Sequence, residues 1–133
     1  MTSIIDQVNW DRAVDGLVPA VVQDADTKDV LMLGFMNRAA LEKTLREGKV
    51  TFWTRSRQKL WTKGETSGNT LNFTALRINC NDDSLLVLAR PVGATCHTGH
   101  PTCNFRAVTA EGEAWQTIPE PQFDPEQVYA KSA

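Results

Sequence analysis

Three cysteines and two histidines carry most of the chain's capacity for chemistry, and they are clustered. Cys96, His97, His100 and Cys103 fall within one short run, C-H-T-G-H-P-T-C, and fifteen residues separate Cys80 from Cys96. Thiolate sulfur and imidazole nitrogen are the ligands zinc prefers, four in a structural site and three in a catalytic one. The spacing is not that of a zinc finger, so tertiary structure or a second subunit has to gather the three sulfurs. A site of three thiolates keeps a position for water, which suits hydrolysis. A histidine as fourth ligand would close it into a structural site, and ordinary buried cysteines are the bland reading. His97, next to Cys96, is the candidate general base, while His100 reads as a surface or locally hydrogen-bonded residue. An odd cysteine count without a secretory signal argues against a disulfide framework and for a reducing, cytoplasmic setting.

A second segment offers groups for a ligand. Residues 49–63 carry Lys49, Arg55, Arg57, Lys59 and Lys63 without an acid, and Trp53 and Trp61 interleave with them. Arginine binds phosphate oxygens bidentately, and Ser, Thr and backbone N–H groups add donors. The run fits a pocket for a phosphorylated nucleotide or a single-strand stacking platform. At least one tryptophan is expected to be a core residue instead. A third segment, Asn79-Cys80-Asn81-Asp82-Asp83, concentrates oxygen ligands of the kind a hard cation takes, though such turns also form without a metal.

The elements that must position these groups are mostly strands. An apolar, β-branched run at 17–23 ends at Asp24-Ala25-Asp26, and 30–36 reads as its hairpin partner. Asn37 is a good N-cap, 38–47 a helix with Leu41 and Leu45 on one face, and Gly48 the residue that ends it. Period-two alternation follows at 50–55, with Phe52 on one face and Trp53 and Arg55 on the other. Short strands are expected at 60–62, 70–75, 85–89 and about 105–108, with a loop at 64–69.

Composition bounds the rest. The chain has 133 residues, enough for a single domain over 1–133 with its own core. Fourteen Lys and Arg against sixteen Asp and Glu leave a net charge of −2, which argues against bulk nucleic-acid or membrane binding. No apolar run is long enough to span a bilayer, and the N-terminus lacks the basic region of a signal peptide. Residues 111–133 read as an irregular, acidic tail.

The motifs together resemble the phosphoribosyl-AMP cyclohydrolases of histidine biosynthesis. The matching blocks are V-Q-D with V-L-M-L-G-F-M-N, then F-W-T-R-S-R-Q-K-L-W-T-K-G-E-T-S-G, then Cys80 to Asp83 with the following L-L-V, and G-A-T-C-H-T-G-H-P-T-C-N-F. They run in order over residues 17–105. The resemblance implies a zinc enzyme that hydrolyses the N1–C6 bond of the adenine ring in 1-(5-phosphoribosyl)-AMP. It implies a mostly β (α+β) fold, a buckled mixed-sheet pseudobarrel with one main helix, in an intertwined homodimer. In that picture Cys96 and Cys103 come from one subunit and Cys80 from the other, with His97 catalytic. Arg55, Arg57, Lys59 and Lys63 are then candidates for the two phosphates, and Glu65, Thr66 and Ser67 for the ribose or ring. The chain's length suggests the stand-alone form, without a fused pyrophosphohydrolase domain.

One departure stands out. The family pattern D-C-D-x-D, whose aspartates bind Mg²⁺, is represented here by Asn79, Asn81 and Asp83. Two formal charges are missing, so magnesium affinity should fall, or Asp82 substitutes, or the site stays empty. Asn69 also stands where many relatives have histidine, and is given no catalytic role. The competing readings are a zinc-stabilised module that binds a nucleotide or RNA, and a relative that has lost activity.

Overall fold

The computed structural model describes residues 3–117. After a 3-10 turn at Ile5–Gln7 come β1 (Val18–Asp24), β2 (Val30–Met36), α1 (Arg38–Glu47), β3 (Thr51–Thr54), β4 (Lys59–Thr62), β5 (Leu71–Ile78), β6 (Leu85–Pro91), β7 (Arg106–Ala107) and β8 (Gln116–Thr117). One α-helix and eight strands among the described residues make the mostly β architecture expected. Among the described residues no helix is long and apolar enough to cross a membrane.

Alternation decides the central sheet. Val18, Ala20 and Val22 on β1 and Leu85, Val87 and Ala89 on β6 are buried, and their neighbours along each strand are less so. These two strands run parallel, with Val22 opposite Val87. β2 pairs antiparallel outside β1 and β5 antiparallel outside β6, giving the mixed order β2-β1-β6-β5. Each edge strand therefore lies one hairpin from a central strand, while the β1–β6 pairing is long-range.

The helix forms where its signals place it. Asn37 Oδ1 accepts the N–H of Ala40 at 2.8 Å, and Gly48 adopts φ 74°, a left-handed conformation only glycine takes cheaply, as its N–H closes on the Thr44 carbonyl. Ala40, Leu41 and Thr44 face the core. Thr44 also ties helix to strand, since its hydroxyl accepts the Thr51 N–H at 2.9 Å. The core gathers these residues with Leu31, Met36, Val50, Phe52 and Leu71.

The expected pseudobarrel is not closed. The hydrogen-bonded ladder ends at β2 and β5, and β3 with β4 forms a separate hairpin. That hairpin leans across the opening. Its root bonds to β5, Val50 N–H to the Leu71 carbonyl and Phe73 N–H to the Gly48 carbonyl, both at 2.9 Å. At the other side Phe52 lies on β2 over Gly34, where an added Cβ would come within 2.4 Å of the ring. The tail expected to be irregular from 111 instead contributes β8, which pairs with β7; its remainder lies outside the described residues. β5 and β6 also run past their expected ends, because each continues to pair with the other, Leu71 to Pro91 at one end and Ile78 to Leu85 at the other.

Candidate metal and nucleotide site

The segment after β6 turns back on itself at the two cysteines. Cys96 N–H donates to the His100 carbonyl at 3.0 Å, and Gly99 N–H to the Cys96 carbonyl at the same distance. Further on, Cys103 N–H donates to the Leu31 carbonyl at 2.7 Å, and the Thr102 hydroxyl donates to the Val30 carbonyl at 2.6 Å. The edge of β2 thus receives the loop and brings the thiol of Cys103 near that of Cys96, close enough for the two to influence each other's ionisation.

A cation stands beside them. Lys63, just past β4, is buried, with 4% of its surface exposed, and its Nζ donates to the Asn69 carbonyl at 2.8 Å. Burial holds its pKa below the usual lysine value, and the thiols of Cys103 and Cys96 work against that shift. Cys103 is exposed as a residue, yet the partly enclosed setting of its thiol pushes its pKa up to about 12, with Cys96 adding to the rise and Lys63 opposing it. The loop that seats this lysine needs Gly64, at φ 87°, because an added Cβ would meet the Asn69 backbone at 2.4 Å.

Thr98, which its chemistry did not single out, steadies Cys96 together with His100. The Thr98 hydroxyl lies 3.0 Å from Cys96 Sγ as donor and 2.7 Å from His100 Nδ1. A hydroxyl has one proton to give, so this chain is satisfied when His100 carries its proton on Nδ1. His100 is locally hydrogen-bonded, as expected, but not at the surface: it is buried and stacked on Phe105 with ring centroids 3.8 Å apart.

A cavity of about 680 Å³ opens at Cys103, a size suited to a nucleotide-sized ligand. Arg57, Lys63, Thr66, Ser67, His97 and Cys103 line it. Trp61 forms part of the same wall and packs behind on Phe52, with ring centroids 6.1 Å apart, so it serves core and cavity at once. Thr95, fully buried, also lines it, and its hydroxyl has no hydrogen-bond partner. The remaining predicted ligands lie elsewhere. Arg55 sits over the Phe35 ring at 4.1 Å and lines a smaller, separate cavity with Arg12 and Asp83. Lys59 is exposed on β4, and exposed Glu65 turns its carboxylate toward the Thr62 N–H.

Cys80 is not with the other sulfurs. It is exposed in the turn after β5, one edge of the sheet, whereas Cys103 is bonded to β2, the other edge. Among the described residues no three His, Cys, Asp or Glu side chains converge as a metal site within one chain.

The sequence itself supplies the context. Residues 32–105 match the family model described as phosphoribosyl-AMP cyclohydrolase. A phosphoribosyl-AMP cyclohydrolase of Desulfatibacillum aliphaticivorans is 50% identical over 117 residues, 87% of this chain and 92% of that protein. The chain belongs to the phosphoribosyl-AMP cyclohydrolase family. Two histidine biosynthesis bifunctional proteins HisIE, from Photobacterium profundum and Escherichia coli, are each 55% identical, over 76% and 73% of the chain. The chain spans about half the length of these bifunctional relatives, 48% and 47%. The matched span contains the whole cavity lining named above, both paired cysteines and Cys80.

Membership in the cyclohydrolase family brings the polar turn into question. Asn79 Oδ1 accepts the N–H groups of Asp83 at 2.8 Å and Ser84 at 2.9 Å, and Asn79 Nδ2 donates to Asp83 Oδ1. Asp83 Oδ2 pairs with Arg12 Nε at 3.1 Å. Asn81 and Asp82 are exposed, and Asp82 occupies the left-handed region at φ 58°. Of the three positions where the resemblance implies Mg²⁺ ligands, Asn79 and Asp83 are thus drawn together by a carboxamide that presents hydrogens. A donor set of this kind does not suit a hard cation.

Proposed function

We propose that the protein hydrolyses the N1–C6 bond of the adenine ring of 1-(5-phosphoribosyl)-AMP, as a zinc-dependent cytoplasmic enzyme of histidine biosynthesis. The observation that carries this reading is Cys103, close to Cys96, lining a nucleotide-sized cavity together with His97 and Arg57. The donor set fits zinc: two adjacent thiols, a buried ammonium to offset thiolate charge, and a hydroxyl on one sulfur. Cys96 and Cys103 would hold the metal with Cys80 of a second subunit, which accounts for a sulfur at the opposite edge of the sheet. When bound there, zinc supplies Lewis acidity that brings the pKa of water toward neutrality.

The chain's own groups do the rest. Addition of water at C6 forms a C–O bond, and breaking N1–C6 opens the ring as N1 takes a proton. His97, exposed on the cavity wall, is within the chemistry's reach to take the proton from water and deliver it. Arg57 offers a bidentate phosphate contact, and Thr66 and Ser67 offer hydroxyls to a phosphate or ribose. The wall formed by Trp61 gives the base an aromatic face. In the same reading the hairpin that leans across the sheet and the β2 edge are covered in an intertwined homodimer.

The experiment is an absorbance assay with phosphoribosyl-AMP, with and without a chelator, alongside zinc analysis. Turnover lost with zinc and regained on its return is expected. His97→Ala should abolish turnover while zinc content is unchanged; turnover retained in that variant would remove His97 from proton transfer. A chain that holds zinc with a histidine as fourth ligand and turns over nothing would favour the structural binding module instead.

A further inference from the structure

Beyond the sulfur site, the β5–β6 turn is built so that a guanidinium and a carboxamide do what its relatives' pattern assigns to a cation. The lone pairs of Asn79 Oδ1 are directed at two backbone N–H groups, those of Asp83 and Ser84. Its Nδ2 faces the Asp83 carboxylate as a donor, a bond that an aspartate at 79 could not make. The other Asp83 oxygen carries Arg12. The N-terminal segment that delivers Arg12 is fastened to the same turn, since Asn9 N–H donates to the Asp82 carbonyl at 2.7 Å. The charge arithmetic agrees. Three carboxylates at positions 79, 81 and 83 in the family pattern would total −3 and need a cation to stay together, whereas here those positions hold one carboxylate, paired with Arg12, and exposed Asp82 leaves the turn with a single uncompensated charge.

We infer that in this protein Arg12 and the Asn79 carboxamide replace the divalent cation at the 79–83 turn, which closes without magnesium. Arg12 and Asp83 are both partly solvated, so their ion pair alone contributes little. The exclusion comes chiefly from the carboxamide, which spends its oxygen on the backbone and turns hydrogens toward the Asp83 carboxylate. The inference does not rest on the hydrolytic reading, because metal binding and unfolding read it out without turnover.

The test is thermal unfolding of the full chain, stripped of loosely held divalent ions at an exposed site and then titrated with magnesium chloride, with Mn²⁺ counted by electron paramagnetic resonance as a magnesium stand-in. The wild type is expected to show no magnesium-dependent rise in Tm. The Asn79→Asp, Asn81→Asp double variant is expected to unfold earlier without magnesium, to recover with it, and to bind one additional Mn²⁺ per chain. Arg12→Gln should lower Tm by an amount that magnesium does not restore. A wild-type Tm that rises with magnesium, and ceases to do so in Asp83→Asn, would overturn the inference. So would a folded double variant that gains no ion. If the double variant does not fold, the wild-type titration with its Asp83→Asn control decides.

Discussion

The buried Lys63 ammonium and the Cys103 thiol line one cavity, each acting on the other's proton: the lysine draws the thiol's pKa down, and the thiol draws the lysine's up. An ammonium removed from water is stable there only if negative charge arrives nearby. Loading a metal supplies it, because thiols must ionise to bind. Lys63→Met, which keeps the stem and removes the charge, should therefore weaken zinc retention by about tenfold or more, within the range for a group behind the ligands. Competition against a chromophoric chelator measures it, and the loss should shrink as pH is raised. Unchanged affinity at every pH would show that the ammonium serves the Asn69 carbonyl alone.

The metal-free chain should lose stability in strong base, in a defined window. The native Cys103 thiol keeps its proton to about 12, while the unfolded thiol releases it near 9.0. Above 9.0 the unfolded state therefore binds fewer protons, and stability falls as pH rises. Lys63 acts oppositely. Its native pKa lies below 10.5, so between that lowered value and 10.5 the unfolded chain binds more protons and stability rises. The two contributions oppose each other up to 10.5 and Cys103 acts alone beyond it. Urea unfolding across a pH series should show the decline concentrated above 10.5, and Cys103→Ser should reduce it.

The two loop arginines should separate in kinetics. Arg57 lines the cavity at Cys103, and Arg55 is stacked on Phe35 outside it. Loss of a charge-assisted phosphate contact is worth about 1.5–3 kcal/mol, so Arg57→Ala should raise KM for phosphoribosyl-AMP by tenfold or more. Arg55→Ala should leave KM near the wild-type value and act on stability. Equal KM effects would mean that the substrate reaches both cavities.

That separation marks where the sequence could be read and where it could not. Asn37 and Gly48 bracket the helix by local hydrogen bonds, so residue type alone locates its ends. The apolar, β-branched run at 17–23 declares a strand though not which of its faces is buried, and the C-H-T-G-H-P-T-C run brings two ligands close in the chain. Arg55 and Arg57 share a parity that on a strand would put them on one face. They lie instead in the β3–β4 connection, where Gln58 at φ 53° turns the chain and parity loses its meaning. Lys63 reads as one phosphate candidate among four bases, because nothing local announces that it will be buried with its ammonium on the Asn69 carbonyl. The partnership of β1 with β6 depends on residues about sixty-five positions apart, and such pairings follow from burial of both strands rather than from any short motif. Nor does Arg12 announce its ion pair with Asp83, which needs the N-terminal segment laid against the β5–β6 turn.

The central claim is that one catalytic site draws Cys96 and Cys103 from one chain and Cys80 from another, and mixing two crippled variants tests it most directly. Cys80→Ala and Cys103→Ala should each be inactive alone. Unfolded together and refolded as a mixture, random pairing makes about half of all dimers hybrids, each with one intact site, so about a quarter of wild-type turnover should return. If the mixture stays as inactive as its parents although hybrid dimers form, the three sulfurs do not assemble across subunits and the account is contradicted.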